Sequence, residues 1–348
     1  MSIRPAAPAL AAALLFGAST PLAKLLVGDV PPLLLAGLLY LGSGLGLGLI
    51  LLVRRARASG EPLSIPRGEI PWLLGAILFG GVLGPALLMW GLTLTDGATA
   101  SLLLNVEGVL TAVIAWVVFK ENADRQVVLG MVAIVAGGLL LSWESGGARL
   151  SPGALLVCAA SACWAIDNNL TRKVSTNDAM LVACLKGLTA GGVNTALGLG
   201  TGASTPLAPI AGSLIVGFVG YGLSLTLFVV ALRMLGTART GAYFSVAPLF
   251  GVVISLGIWP QTPQATFWVA AGLMAIGVWL HIRERHFHEH THDPLEHAHR
   301  HLHDEHHQHL HPPGWDGAEP HTHVHRHEVL THKHPHYPDI HHRHGHAH

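Results

Sequence analysis

Apolar stretches of about twenty residues follow one another along the first 283 residues, separated by short loops rich in Pro, Gly, Asp and Asn. Each stretch is long enough for a helix to cross a hydrocarbon core of ~30 Å. The stretches do not alternate in polarity as barrel strands do, so they predict an all-α integral membrane protein with ten transmembrane helices. The predicted spans are Pro8–Val27, Pro32–Val53, Ile70–Leu92, Ala98–Phe119, Gln126–Trp143, Gly153–Leu170, Ala179–Leu199, Ala208–Leu232, Ala238–Trp259 and Ala265–Ile282.

The second five spans repeat the first five. Thr93–Trp143 aligns without a gap onto Arg233–Arg283, which places Glu107 opposite Ala247, and spans one and two align onto spans six and seven. Because five is an odd number, the halves must have opposite orientations. We therefore predict two inverted five-helix repeats, residues 5–146 and 150–283, with a substrate site between them near the middle of the membrane.

Basic residues are concentrated in alternate loops. They follow spans two, four, six and eight, whereas the other loops contribute little beyond Arg149. Basic loops favour the cytoplasm, so both termini are predicted to be cytoplasmic. The basic residues are Arg54, Arg55, Arg57, Arg67, Lys120, Arg125, Arg172, Lys173, Arg233 and Arg239.

Composition agrees with a membrane protein: 51% of residues are hydrophobic and 11% are charged, compared with about 25% charged in soluble domains. The three cysteines all lie within predicted spans, which argues against a disulfide framework. The sequence has no dense Lys/Arg face of the kind that would indicate a nucleic-acid partner. The sequence also lacks GxxxxGK[ST], GxSxG and HExxH motifs, so we expect no enzyme activity, no required cofactor, and transport energy from a gradient or a partner chain.

One carboxylate lies in the middle of the fourth span. Glu107 follows Asn105 by two residues, and a charge at this depth costs a few kcal/mol unless it has a partner or a wet cavity. The residue could form a structural pair that holds helices together. We favour a contact with a substrate or a coupling ion, because ionisable groups inside membranes commonly mark transport pathways.

Other polar side chains are predicted to join Glu107. Asp167 and Asn168 end span six and Lys186 lies inside span seven, at depths that allow a Glu107–Lys186–Asp167 cluster with one carboxylate in surplus. That surplus carboxylate could take a proton or meet a cationic group, although the Asp-Asn-Asn run could instead cap its helix. The candidate substrate-binding residues are Glu107, Asn105, Asp167, Asn168, Lys186, Trp90, Tyr221 and Tyr243.

Several segments resemble a known family. The end of span four, VVFKEN with Glu121, is followed by VVLGMVAIVAGGLLLSW, and the second half contains GAYFSVAPLFGVVISLGIWPQ with Pro248. Over about residues 5–283 the chain is similar to the EamA-type transporters of the drug/metabolite transporter superfamily. The resemblance implies a multi-pass carrier of the bacterial inner membrane, commonly an exporter of amino acids or other small metabolites.

The last segment, residues 284–348, differs completely from the rest. All 25 histidines lie between His281 and His348. Recurring prolines and the lack of an apolar period predict a disordered cytoplasmic tail. Imidazole is the commonest metal ligand, so the tail is predicted to bind Zn, Ni or Co. The candidate ligands are His286, His288, His290, His292, His297, His299, His301, His303, His306, His307, His309, His311, His321, His323, His325 and His327.

Three functions remain open. The favoured one is a secondary transporter that exports a small polar metabolite with proton or gradient coupling. A divalent-metal efflux carrier whose tail collects or senses its cargo is the second. The third is a membrane-tethered metal buffer or sensor that does not transport. The oligomeric state cannot be read from the sequence.

Overall fold

The computed structural model describes residues 7–57, 65–119, 125–143, 151–174, 177–235, 243–260, 262–283, 286–292, 295–301, 321–327 and 330–336. The predicted residues Glu121, His303, His306, His307, His309 and His311 lie outside this part of the chain.

Helices make up most of the described residues before the tail. By length and composition, six helical stretches in the described residues could each cross a membrane. The first half contains α1 (Ala7–Leu26), α2 (Pro32–Arg57), α3 (Ile70–Ala76), α4 (Gly84–Leu94), α5 (Gly97–Leu103), α6 (Asn105–Phe119) and α7 (Arg125–Ser142). The second half contains α8 (Pro152–Thr171), α9 (Ala179–Gly200), α10 (Leu207–Gly217), α11 (Ser224–Leu235), α12 (Ala247–Ile258) and α13 (Ala265–Arg283). Short 3₁₀ turns lie at Arg67–Glu69 and Arg172–Val174.

The third helical stretch of each half contains a π-helical turn, which the sequence analysis did not predict. The first, π1, spans Ile77–Leu83 between α3 and α4, and the second, π2, spans Phe218–Leu223 between α10 and α11. A π turn inserts extra backbone into the helix and is frequently found at functional sites. Both turns are rich in glycine, and the lack of a side chain there lets neighbouring helices pack close to the backbone of the turn.

The fourth predicted span is interrupted. A single turn at Leu104 separates α5 from α6, and the Glu107 N–H donates a 3₁₀-type hydrogen bond to the Leu104 carbonyl at 3.1 Å. The corresponding stretch of the second half turns at Ser245 and Val246, immediately before α12. As a consequence, Glu107 lies in the first turn of a new helix and not in the interior of a continuous one.

The two halves are in contact along small residues. Helix α2 lies against α9, where Gly44 and Gly187 face each other so closely that a Cβ added at Gly187 would lie 2.6 Å from the Gly44 nitrogen. Helix α7 similarly contacts α13, where an added Cβ at Gly277 would lie 2.7 Å from the Gly130 carbonyl oxygen. In lipid, where the hydrophobic effect does not drive helices together, such close backbone approach supplies van der Waals packing.

Apolar side chains also cover the outer surface of the bundle. Leu49 is 64% exposed, Val117 68% and Leu129 61%. In a soluble domain such a surface would favour association or aggregation, whereas a bilayer solvates it. The exposed side chains agree with a helical protein embedded in lipid.

The described residues of the tail contain four strands, whereas the sequence analysis predicts disorder for the tail. They are β1 (His286–His292), β2 (Leu295–His301), β3 (His321–His327) and β4 (Leu330–His336). β1 pairs antiparallel with β4, and β2 with β3. The His-x-His alternation has the two-residue period of a strand, a pattern that an argument from composition overlooked.

An ion pair joins α2 and α9 at the end of the bundle that is predicted to be cytoplasmic. Arg54 contacts Asp178 at 2.5 Å, and Asp178 caps α9 by accepting hydrogen bonds from the Met180 and Leu181 N–H groups. Burial opposes the charged form of Asp178. The hydrogen bonds from Arg54 and from the two backbone groups outweigh this effect and hold the pKa of the carboxyl below its usual range.

We expect Asp178→Ala to lower the free energy of unfolding by about 1 kcal/mol, because it removes the helix cap. Asp178→Asn keeps an N-cap acceptor and should cost less, since the exposed Arg54 contributes little to stability. The lowered pKa means that the contribution of the charge is present at neutral pH and is lost as the pH falls through the folded-state value. Thermal unfolding in detergent at neutral and acidic pH measures these effects. An equal loss for Ala and Asn would contradict the capping role.

Candidate functional site

A buried ion pair connects α8 and α9. Lys186 Nζ donates to both oxygens of Asp167, at 2.6 and 2.7 Å, and the side chains are only 15% and 9% exposed. Thr171, one turn after Asp167, donates its hydroxyl to Asp167 Oδ1 at 2.8 Å. The two charges therefore neutralise each other in a geometry with additional hydrogen bonding, which a buried ion pair requires.

Glu107 lies beside this pair but binds a different residue. Asn168 Nδ2 donates to Glu107 Oε1 at 2.9 Å and also approaches Thr111 Oγ1 at 3.3 Å. Glu107 interacts electrostatically with both Asp167 and Lys186. Among the described residues it forms no ion pair. The predicted cluster of three residues is thus an Asp167–Lys186 ion pair and a neighbouring Glu107, which accepts a hydrogen bond from the Asn168 amide.

The Asp-Asn-Asn run connects α8 to two other helices. Asp167 binds Lys186 on α9, while Asn168 binds Glu107 on α6. Asn169 is buried and donates to the carbonyls of Ala165 and Thr111. The three side chains therefore connect α8 to neighbouring helices. None of these contacts caps the end of α8.

The first π turn forms one wall of the site. The Gly80 carbonyl accepts hydrogen bonds from the Tyr40 hydroxyl at 2.6 Å and from Trp164 Nε1 at 2.9 Å. Asn194 Nδ2 lies 3.3 and 3.2 Å from the carbonyls of Gly81 and Val82. Side chains from α2, α8 and α9 thereby satisfy carbonyl groups of the π turn, as backbone at membrane depth requires.

The structure brings together four of the eight predicted substrate-binding residues, namely Glu107, Asp167, Asn168 and Lys186. Asn105 is buried, and its amide donates back to the Leu102 carbonyl at 2.9 Å, so it stabilises the turn before α6. Trp90 is 45% exposed and shares no described contact with the carboxylates. Tyr243 is half-buried before α12 and likewise has no described contact with them.

Tyr221 belongs to a neighbouring row of aromatic rings. Its ring centroid lies 5.5 Å from that of Tyr40 and 5.8 Å from that of Phe16. Phe16 in turn lies 5.4 Å from Phe244. Tyr40 connects this row to the ion pair through its hydrogen bond to Gly80.

Five residues of the site were not identified from the sequence: Tyr40, Gly80, Thr111, Trp164 and Thr171. Thr171 could have been identified from the sequence, because it follows Asp167 by four residues and lies on the same face of the helix. Tyr40, Gly80 and Thr111 lie on other helices, so only the tertiary structure places them here.

No described group of three or more His, Cys, Asp or Glu side chains is arranged to hold a metal ion. Cys163 lies one turn before Asp167 on α8 and is partly buried as a free thiol.

Comparison with known sequences identifies the family. A profile of the EamA-like transporter family matches this chain twice, over residues 6–143 and 151–283. The chain belongs to the EamA-like transporter family. It is therefore a multi-pass membrane transporter, and the resemblance inferred from the sequence is confirmed at this level.

Individual relatives agree with the family assignment. An "Uncharacterized transporter" of Methanothermobacter thermautotrophicus is 27% identical over 285 residues, covering 77% of this chain and 83% of the relative. "Uncharacterized transporter YyaM" of Bacillus subtilis is 23% identical over 272 residues, covering 75% and 87%. A solved structure described as "Crystal structure of protein" superposes with a TM-score of 0.57 at 19% identity, covering 79% of this chain and 95% of that chain. This last likeness concerns the fold alone.

We expect Gly80→Ala to disrupt the site, because the added Cβ would lie 1.8 Å from Asp167 Oδ2. Forcing a methyl group into such packing costs roughly 1–3 kcal/mol. Gly192→Ala in α9 is the matched control, since nothing lies within 4 Å of its added Cβ. Thermal unfolding in detergent should show a lower midpoint for Gly80→Ala only. Equal midpoints would mean that π1 does not contact Asp167 in this way.

Proposed function

We propose that this EamA-family protein is a secondary transporter of the bacterial inner membrane that exports a small polar metabolite, driven by protons or another ion gradient. One observation carries the proposal. The Glu107 carboxylate of the first half binds Asn168 of the second half, directly beside a neutralised Asp167–Lys186 pair. An ionisable group at the contact between halves is suited to bind cargo or a coupling ion.

The interruption before α6 supports the same role. Secondary transporters commonly form their sites from discontinuous helices near the interface of their repeats. Glu107 lies in the first turn after such an interruption, and its partner Asn168 is exposed. Relative movement of the halves would therefore change the surroundings of Glu107, which gives a physical route from binding to transport.

We further propose ten transmembrane helices in two inverted repeats, with both termini in the cytoplasm. The described residues contain a helix in each predicted stretch, and the family profile matches the two halves separately. Both halves contain a π turn in the third stretch and an interruption in the fourth. The first helix of each half also contacts the fourth stretch of the other half, α1 with α12 and α8 with α6.

We expect Glu107→Gln to reduce transport roughly tenfold or more. The substitution keeps size and hydrogen bonding but removes the charge, and a charge-assisted hydrogen bond contributes about 1.5–3 kcal/mol. The measurement is uptake by proteoliposomes, after a screen of amino acids together with Ni, Co and Zn has identified the substrate. Asp96→Asn, the same chemical change in a helix cap outside the site, should leave transport intact. Unchanged transport in both Glu107→Gln and Lys186→Met would make the cluster purely structural.

The orientation follows from the alternation of basic loops and is open to a direct test. Reporter fusions at Gly147 and at His348 should be active in the periplasm and the cytoplasm, respectively. Cytoplasmic activity at Gly147, or periplasmic activity at His348, would overturn the proposed topology.

We propose that the tail binds divalent transition metals. Its strand register supports this, because histidines lie opposite histidines: His288 faces His334 in one ladder and His299 faces His323 in the other. Residues opposite each other on antiparallel strands have Cβ atoms about 4.5–5.5 Å apart, a separation from which two imidazoles could share one ion. This feature favours, as a second candidate, a metal efflux carrier whose tail collects its cargo, or a metal buffer tethered to the membrane.

Deleting residues 286–348 should abolish high-capacity Ni or Zn binding while the helical domain still inserts and folds. Binding should also weaken as the pH falls, because protonated imidazole does not ligate metal. Equilibrium dialysis measures the binding.

If metal is the cargo, the truncated protein should lose transport mainly at low metal concentration, since the tail only raises the local concentration. If a metabolite is the cargo, metal-free transport should be unaffected. A truncated protein that still responds to metal would contradict this role of the tail.

A further inference from the structure

The charges of the site leave one negative charge uncompensated. Lys186 contacts both oxygens of Asp167, so this pair is neutral as a unit. The carboxylate of Glu107 accepts its hydrogen bond from the neutral amide of Asn168. A site with a net charge of −1 in a low-dielectric membrane attracts a mobile cation and repels an anion.

The geometry leaves part of the Glu107 carboxylate available. Asn168 engages Oε1, whereas Oε2 accepts no hydrogen bond from the described residues. Glu107 is partly exposed and Asn168 is exposed. An ammonium group has three donors and needs such acceptors. Recognition of a carboxylate or phosphate would instead need a free cation, and Lys186 is already bound to Asp167.

The second, independent observation is the row of half-buried aromatic rings, Tyr40, Tyr221, Phe16 and Phe244. The rings come from helices of both halves, and neighbouring centroids lie 5.4 to 5.8 Å apart. The row begins beside the charged site, because the Tyr40 hydroxyl binds Gly80 and Gly80 lies against Asp167. Aromatic faces bind both hydrocarbon groups and cations.

We propose that the substrate is an organic monocation, an amine with an aromatic or other apolar group, whose ammonium binds Glu107 in competition with a proton. This assignment rests on the transport function proposed above and names its substrate class. The ammonium binds the ionised Glu107 while the apolar group packs along the aromatic row. When Glu107 takes up a proton, the site becomes neutral and the cation leaves, so that exchange of one monocation for one proton moves no net charge.

The pH dependence of binding has a defined sign. Asp167 on α8, Lys186 on α9 and Tyr40 on α2 are the charged or titratable groups that act electrostatically with Glu107. Asp167 and Lys186 offset each other. Cation affinity should consequently fall as the pH drops through the range in which Glu107 takes up its proton.

The test uses the full-length protein and the probes phenethylammonium, methylammonium and phenylacetate. Calorimetry in detergent measures binding, and a pH-sensitive dye inside proteoliposomes measures proton movement. We expect phenethylammonium to bind, to weaken at least tenfold in Glu107→Gln and to weaken at low pH. Phenylacetate, which has the same ring and the opposite charge, should not bind. Tyr221→Leu should weaken phenethylammonium more than methylammonium.

The outcomes separate the two proposals. Proton movement driven by phenethylammonium and lost in Glu107→Gln supports both. Cation binding at Glu107 without any flux supports the cation site and refutes transport. Phenylacetate binding that depends on Lys186, as shown by its loss in Lys186→Met, overturns the cationic assignment while transport stands. Absence of phenethylammonium binding, or binding unchanged in a folded Glu107→Gln protein, overturns the inference.

Discussion

A polar group inside a hydrocarbon core must find its partner within the protein, and this constraint organises the structure. Three helices converge on the Gly80 carbonyl and Asp167, because each carries a side chain that the bilayer could not solvate. Lys186 and Asp167 neutralise each other, while Tyr40 and Trp164 satisfy the carbonyl of the π turn. Removing Lys186 or Asp167 alone would leave a buried charge unpaired, which costs more than the formation of the pair gains.

Glycine makes this convergence possible by allowing helices to approach within backbone contact. Gly80 leaves room for the Asp167 carboxylate, and Gly44 and Gly187 bring α2 and α9 together. The consequence is that the site depends on helix positions set elsewhere in the bundle. A shift of α2 relative to α9 would move Tyr40 relative to Lys186, which couples the packing of the two halves to the electrostatics around Glu107.

The sequence predicted the helical membrane fold and the four charged or amide residues of the site, since apolar length and charges at membrane depth are local signals. It did not predict the π turns, because their residues look like ordinary apolar helix in the sequence. Depth alone could not decide which carboxylate binds Lys186. In the structure π1 packs against both α8 and α9, and Lys186 of α9 reaches Asp167 of α8. Asn105 was assigned to the site on its polarity, although its amide is satisfied by the turn that it helps to form.

The asymmetry between the halves indicates that this arrangement of helices does not require the charges. In the alignment of the repeats, Asp167 and Lys186 correspond to Thr20 and Leu39, which are buried at 3% and 0% exposure. The second π turn makes the equivalent contact without charge: Gly220 lies against Ser19, next to Thr20, as Gly80 lies against Asp167. The same arrangement of helices is thus built once with hydroxyl and apolar side chains and once with an ion pair. Because burying an ion pair is seldom more stabilising than apolar packing, stability alone does not account for the charged version. Under the proposed function, the charged version would place a polar ion pair beside the Glu107 carboxylate that binds the cation.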